Sequence, residues 1–285
     1  MKKLCFTTYV YGYYQDYIPI YVFSILKSFP QHYVKIFLKE SLSNNNKEAL
    51  NLIKSNNFEI VENFTDLDWC EIPHAPSLRF LITREYFKEF DYVYFGDVDF
   101  IIYNEHDDDF YNIYLNHIEK TGLPFSNEWN YDWNRYRMTG LHFIIKDPYF
   151  DMMDKWIEEM KIPNGNFFRN RSNHHKGFPS YDEEMLYYMA CHAFDLRSLI
   201  DYRRPFHGLH FGTFRILSKN DSFSKNLTHE CDGRNNFNDW IGKDFKKLND
   251  IIKDDVFQGM YRYLGVESKD TIDKALFNLY KKIFL

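Results

Sequence analysis

An α/β fold, a mostly parallel sheet flanked by helices and followed by a helical C-terminal extension, is what the sequence predicts, on three observations. Short β-branched and aromatic runs alternate with stretches of helical periodicity through the first half of the chain. One of those runs, Tyr92-Val93-Tyr94-Phe95, is apolar at every position, as a strand covered on both faces must be. Beyond residue 220 the composition turns polar and only helical patterns remain, which divides the chain into residues 1–218 and an extension, 219–285.

Taken in order, Leu4 to Tyr9 reads as the first strand. Tyr9, Tyr11 and Gly12 follow its end closely, and a glycine amid tyrosines there could let a nucleotide base lie on the backbone and a ring. A tyrosine-rich loop packed on the body is the alternative. Ile18 to Phe29 is the first helix, with Pro19 in its first turn and Pro30 stopping it. Val34 to Leu38 is the second strand. Asn45 and Glu48 have capping-box spacing ahead of a helix, and Phe58 to Val61 is the third strand.

Residues 77–104 hold the centre of the pattern. Leu78, Leu81, Ile82, Tyr86 and Phe90 give one apolar helical face, leading into the strand Tyr92 to Phe95. Gly96 permits a close approach, and Asp97-Val98-Asp99 comes at once after it. In extended chain the two aspartates project to one side while Val98 anchors the other. Like charges so close favour a cation between them, and oxygen ligands suit Mg²⁺ or Mn²⁺, which in turn holds a diphosphate. The plain alternative is a solvated turn. The acidic run Glu105 to Asp109 is expected to be solvated loop.

Trp129, Tyr131, Trp133 and Tyr136 read as a loop before a strand from Leu141 to Ile145; these rings could stack on a sugar or form a satellite core. Asp147-Pro148 opens a helix that turns Phe150, Met153, Ile157 and Met160 inward. Residues 163–179 lack periodicity and carry Arg169, Arg171, His174, His175 and Lys176, a basic segment that could close over phosphates. Ser180 and Glu183 match a capping box, and Asp182, Glu183 and Glu184 suit a helix start. A carboxylate there could also act on a reacting sugar. His207 and His210, flanked by Gly208 and Gly212, offer an imidazole as a further metal ligand, and Arg215 a phosphate contact. Two helical patterns fill the tail, one with Phe245, Leu248, Ile251 and Ile252, the other with Ile272, Leu276, Leu279 and Ile283. Lys274, Lys281 and Lys282 line the outside of the second, which could pack on the core or lie on an anionic membrane surface.

The bulk properties exclude several classes. A chain of 285 residues buries a substantial core, and a net charge of −6 argues against a dedicated nucleic-acid binder. The 28 Phe and 23 Tyr leave aromatics to spare for the faces of bases and sugars. Cys5, Cys70, Cys191 and Cys231 are scattered with no C-x-x-C, as in a cytoplasmic protein with reduced thiols. The first residues read as a strand rather than a signal peptide, and no apolar run is long enough to span a bilayer.

Several of these segments together resemble GT-A fold glycosyltransferases, most closely the retaining family-eight type. There a helix with an Arg-Leu pair leads to a strand ending in D-x-D, similar to Arg79-Phe80 and Asp97-Val98-Asp99. Met138-Thr139-Gly140-Leu141 is similar to the Asn-Ser/Ala-Gly-Val segment without its asparagine. Asp182 to Tyr187 resembles D-Q-D-x-L-N, with Glu183 also similar in position to the glutamate of retaining family-six enzymes. His210 to Arg215 resembles H-F-x-G-x-x-K-P-W, one residue shorter and with Arg215 at the lysine.

The resemblance spans roughly residues 4–215 and implies a Rossmann-like sheet and a UDP-hexose donor. Arg79, Val98, Gly140, Gly212 and Arg215 would contact that donor, and Asp97, Asp99 and His210 would bind Mn²⁺ or Mg²⁺. Glu183 or Asp182 would act at the sugar. It implies a bacterial surface-glycan enzyme with a glycan or glycolipid acceptor, cytoplasmic or at the inner face of the membrane. Phosphoryl or nucleotidyl transfer using Asp97 and Asp99, and non-catalytic glycan binding, are the alternatives.

Overall fold

A computed structural model describes residues 3–64, 75–104, 110–132, 135–161, 181–202, 204–205, 208–211 and 245–284. Its main sheet has six strands: β1 (Leu4–Val10), β2 (Tyr33–Leu38), β3 (Phe58–Val61), β4 (Tyr92–Phe95), β6 (Phe125–Ser126) and β9 (His142–Ile145), in the spatial order β3-β2-β1-β4-β9-β6. The first four of these run parallel, and β9 and β6 close the edge antiparallel. Two small ribbons lie outside it. One pairs β5 (Phe100–Ile101) with β10 (Leu209–His210), the other β7 (Trp129–Asp132) with β8 (Arg135–Met138).

The α/β expectation is met, and the alternation of side chains along the central strands explains how. In β4, Tyr92 and Tyr94 enter one apolar cluster, while Val93 and Phe95 enter the other. The first cluster takes in α1 (Ile18–Ser28) and α3 (Phe110–Thr121); the second takes in α4 (Lys146–Met160) and α5 (Tyr181–Ala193). The inward set of α4, Phe150, Met153, Ile157 and Met160, is buried as its periodicity requires.

The described part of the tail, 245–284, holds three helices where two patterns were expected: α6 (Phe245–Ile252), α7 (Asp255–Tyr261) and α8 (Val266–Phe284). Leu248, Ile251, Phe257, Met260, Ile272 and Leu279 join the first cluster, so these helices pack on the core. Asp16 fastens them further, accepting from the Gly265 amide and Ser268 hydroxyl, each at 3.0 Å, and from Asn46 at 3.1 Å. Among the described residues no helix is long and apolar enough to cross a membrane. Cys5 and Cys191 are free thiols, while Cys70 and Cys231 lie outside the described residues.

Four local expectations are corrected. The segment before β4 is not one amphipathic helix but two short 3-10 helices, Ala75–Leu81 and Arg84–Phe87, with Thr83 extended between them. Leu78 to Ile82 are five consecutive buried residues, so packing on all sides overrides a one-faced helix. The tyrosine-rich stretch after β1 forms a 3-10 helix, Gly12–Tyr17, instead of a loop. The helix α2 (Asn44–Asn51) is capped by Ser43, whose hydroxyl accepts from the Asn46 amide at 3.2 Å, with Asn45 already inside. The aromatic stretch at 129–138 is the β7–β8 hairpin, in which Trp129 faces Met138 and Tyr131 faces Tyr136.

Candidate active site

The parallel strands β1 and β4 are neighbours, and their carboxyl ends deliver the two segments that open the site. Past β1, Gly12 adopts a φ of +58°, a left-handed conformation that disfavours a side chain, with open space where a Cβ would stand. Past β4, Gly96 passes so close to Tyr21 that a Cβ would stand 2.9 Å from its hydroxyl. The chain then turns at Val98-Asp99 instead of continuing extended, because Phe100–Ile101 leaves to pair with β10. Side-chain alternation therefore does not set the directions of Asp97 and Asp99.

Arg79 is the hub of the first group. Its Nη1 donates to Asp97 Oδ1 and its Nη2 to Asp182 Oδ2, both at 2.5 Å, while its guanidinium lies 4.8 Å from the Phe80 ring centre. Burial alone would lower the Arg79 pKa, yet Asp97, Asp182 and Glu183 raise it above the ordinary value. Gly140 makes room for this cluster: a Cβ there would stand 2.5 Å from Arg79 Nη2 and 3.2 Å from Asp97 Oδ2. Asn127 holds the Thr139-Gly140 turn, donating to the Thr139 carbonyl at 3.0 Å and accepting from the Thr139 hydroxyl at 2.8 Å.

The acids of α5 sit in its first turn, where the helix end favours negative charge. Burial raises the Asp182 carboxyl against the lowering pull of Arg79, and Asp97 raises it further. Burial and the charge of Asp182 push the neighbouring Glu183 up to about 7, opposed by an ion pair with Arg137. Tyr11 belongs to the same group, since its hydroxyl pKa is raised by burial and then by the charge of Asp182.

Asp99 goes the other way. Its Oδ2 lies 3.2 Å from His210 Nε2, and its carbonyl accepts from the Phe211 amide at 2.9 Å. The His210 ring stacks on Phe100 with centroids 4.8 Å apart and planes 11° from parallel. Gly208 makes the β5–β10 pairing possible, with a φ of +84° and a position where a Cβ would stand 2.6 Å from the Ile101 carbonyl oxygen. Two carboxylates and an imidazole are a donor set that suits Mn²⁺ or Mg²⁺. Among the described residues, however, no three His, Cys, Asp or Glu side chains are gathered tightly enough to hold an ion, and Asp97 faces Arg79.

The structure thus joins Tyr11, Arg79, Asp97, Gly140, Asp182 and Glu183 in one group, and Asp99 with His210 in another. Tyr9 lies in the apolar core against Phe64, and Val98 is buried in the opposite cluster, which leaves neither side chain exposed to a ligand. Gly212, Arg215, His207, the segment 163–179 and the acidic run 105–109 lie outside the described residues. Arg137 and Asn127 belong to the site without having been expected there. Their one signal was proximity in sequence to Gly140.

No family model matches the sequence, and no curated protein matches it. Among solved structures, it is similar to the galactosyltransferase LgtC in complex with donor and acceptor sugar analogues, at 15% identity over 65% of this chain and 69% of that one, TM-score 0.37. It is also similar to the bifunctional glycosyltransferase WbbM, at 12% identity over 66% of this chain and 37% of that one, TM-score 0.38. The glycosyltransferase GlyE of Streptococcus pneumoniae TIGR4 matches at 9% identity over 68% of this chain and 44% of its own, TM-score 0.38. The chain therefore spans less than half the length of the last two. Likeness at this level carries no weight for function, which rests on the residues themselves.

Proposed function

We propose that the protein is a divalent-metal-dependent glycosyltransferase that moves a hexose from a nucleotide diphosphate sugar, with UDP leaving, to a glycan or glycolipid acceptor. The supporting observation is convergence. Arg79, Asp97 and Asp182 come from three separate segments and meet at the carboxyl ends of parallel strands, with Glu183 paired to Arg137 beside them.

Asp99 and His210 would offer the ion its protein ligands, Asp97 being held by Arg79. When bound, the ion would neutralise the diphosphate as the glycosidic bond breaks. Arg79, 5% exposed and already committed to two acids, positions Asp97 and Asp182. Asp97 so engaged is poorly free to attack a phosphate, which weighs against the phosphoryl-transfer alternative. Glu183, with a pKa near neutrality, is assigned to the sugar, stabilising its cation-like state or attacking its far face. Retention of configuration is proposed from the resemblance to the retaining family-eight type, and an inverted anomer in the NMR spectrum of the product would contradict it. Residues 1–218 carry the chemistry, with 219–285 as a helical extension, in an enzyme of bacterial surface-glycan synthesis at the inner face of the membrane.

The test is a panel of nucleotide sugars incubated with and without Mn²⁺. Release of the nucleoside diphosphate from a UDP-hexose, only with the ion, is the expected result. No release from any donor, or equal release without metal, would overturn the proposal.

A further inference from the structure

Trp129, Tyr136 and Tyr187 form an aromatic ledge next to Glu183. In the hairpin register Trp129 pairs with Met138 and Tyr131 with Tyr136, so Trp129 and Tyr136 are diagonal neighbours on one face of the ribbon. The Tyr136 ring stacks on Tyr187, centroids 5.3 Å apart and planes 14° from parallel. Trp129 meets Tyr136 edge-on at 5.5 Å. Tyr187 follows Glu183 by four residues on α5, one helical turn, and Tyr136 immediately precedes Arg137, the partner of Glu183.

Packing accounts for part of the ledge, since Trp129 and Tyr187 lie against the second apolar cluster, but not for the exposed ring of Tyr136. Met138 anchors the hairpin and is fully buried, whereas Tyr136 remains 49% exposed although its ring is held on two sides. Trp129 and Tyr187 are half-buried. Rings fixed by one another lose little further freedom on binding, which suits them to a contact surface. The ledge is three rings, and charge lies close by, since Tyr187 stands one helical turn from Glu183, the partner of Arg137. An apolar helix or a membrane would gain little from so small a patch beside charge. A pyranose has what the ledge can use, a flat C–H face for the rings and hydroxyls for the charge nearby.

We propose that this ledge is the acceptor subsite, on which the terminal pyranose of a neutral glycan lays its C–H face, directing a hydroxyl towards the donor sugar. The assignment as acceptor rests on the transferase proposal above, but binding of a sugar by the rings can be read without donor or turnover.

The experiment is saturation-transfer difference NMR on the full chain, with no donor present, using the methyl β-D-glycosides of galactose, glucose and N-acetylglucosamine. Saturation should concentrate on ring C–H protons of at least one glycoside. It should weaken about fivefold in Tyr136→Ala, the loss of one aromatic contact, and persist in Tyr136→Phe. Circular dichroism establishes that each variant is folded; should Tyr136→Ala fail to fold, Tyr187→Leu replaces it with the same expected loss. No saturation of any glycoside by the wild type, or equal saturation by the folded alanine or leucine variant, overturns the ledge. A wild type that shows the stacking signal yet releases no nucleotide from any donor overturns the transferase proposal instead, and with it the acceptor role.

Discussion

Asp97 and Asp99 stand two residues apart in one turn and keep opposite company. Asp97 is neutralised from within by Arg79, which is buried and shared with Asp182. Asp99 instead faces an imidazole on a two-residue strand that returns 111 residues later in the chain. The first is a closed charge cluster, whose members would each be left uncompensated by the loss of another. The second has an imidazole whose charge depends on pH and whose nitrogen can bind metal. Two acids that look equivalent in sequence therefore keep different partners, an arginine for one and an imidazole for the other.

Removing the arginine should have the largest effect. Arg79→Met would leave Asp97 and Asp182 without their partner and destabilise the fold by about 3–5 kcal/mol in urea unfolding. Asp99→Asn, by contrast, should change stability by only about 1 kcal/mol, since the amide keeps the shape of the side chain and an oxygen for His210. Equal losses would erase the distinction between the two acids.

Gly140→Ala should come next, at about 1–3 kcal/mol in the same assay, because the added methyl meets an arginine that two carboxylates hold in place. A loss no greater than that of an ordinary surface substitution would mean the cluster can shift.

The acids of α5 give a pH signature. Glu183 is raised from the ordinary 4.5 to about 7, so the folded chain keeps a proton that the unfolded chain has released. Its contribution to stability is therefore greatest below 4.5, falls as pH rises to about 7, and is level above that. Arg137→Met removes the charge that opposes this shift, so the acidic limb of the rate profile should move to higher pH. An unmoved limb would separate Arg137 from Glu183. Gly12→Ala should cost as little as Asp99→Asn, about 1 kcal/mol, for a left-handed residue whose new methyl meets open space.

The parallel strands, α1 and the inward face of α4 were legible because each buries a continuous run or a regular stripe. The acids were legible too, since Asp97, Asp99, Asp182 and Glu183 stand where strands end and a helix begins. Arg79 and His210 were named through the resemblance, but which acid each would pair with, and Arg137 altogether, were not. Arg79 sits in a 3-10 helix buried on all sides, where periodicity says nothing of direction. Arg137 lies on a hairpin defined by pairing across its own turn and by packing on α5, and the β5–β10 pairing joins segments too short to carry a pattern. The directions of Asp97 and Asp99 depend on those long-range choices, so extended-chain alternation could not supply them.

Calorimetry of UDP binding, with and without Mn²⁺, in the wild type and in Asp99→Asn tests the proposed role of Asp99 most directly. UDP should bind the wild type only with the ion, and the variant should lose that binding while its unfolding midpoint stays close to that of the wild type. Metal-independent binding, or an affinity untouched by the substitution, would contradict the account.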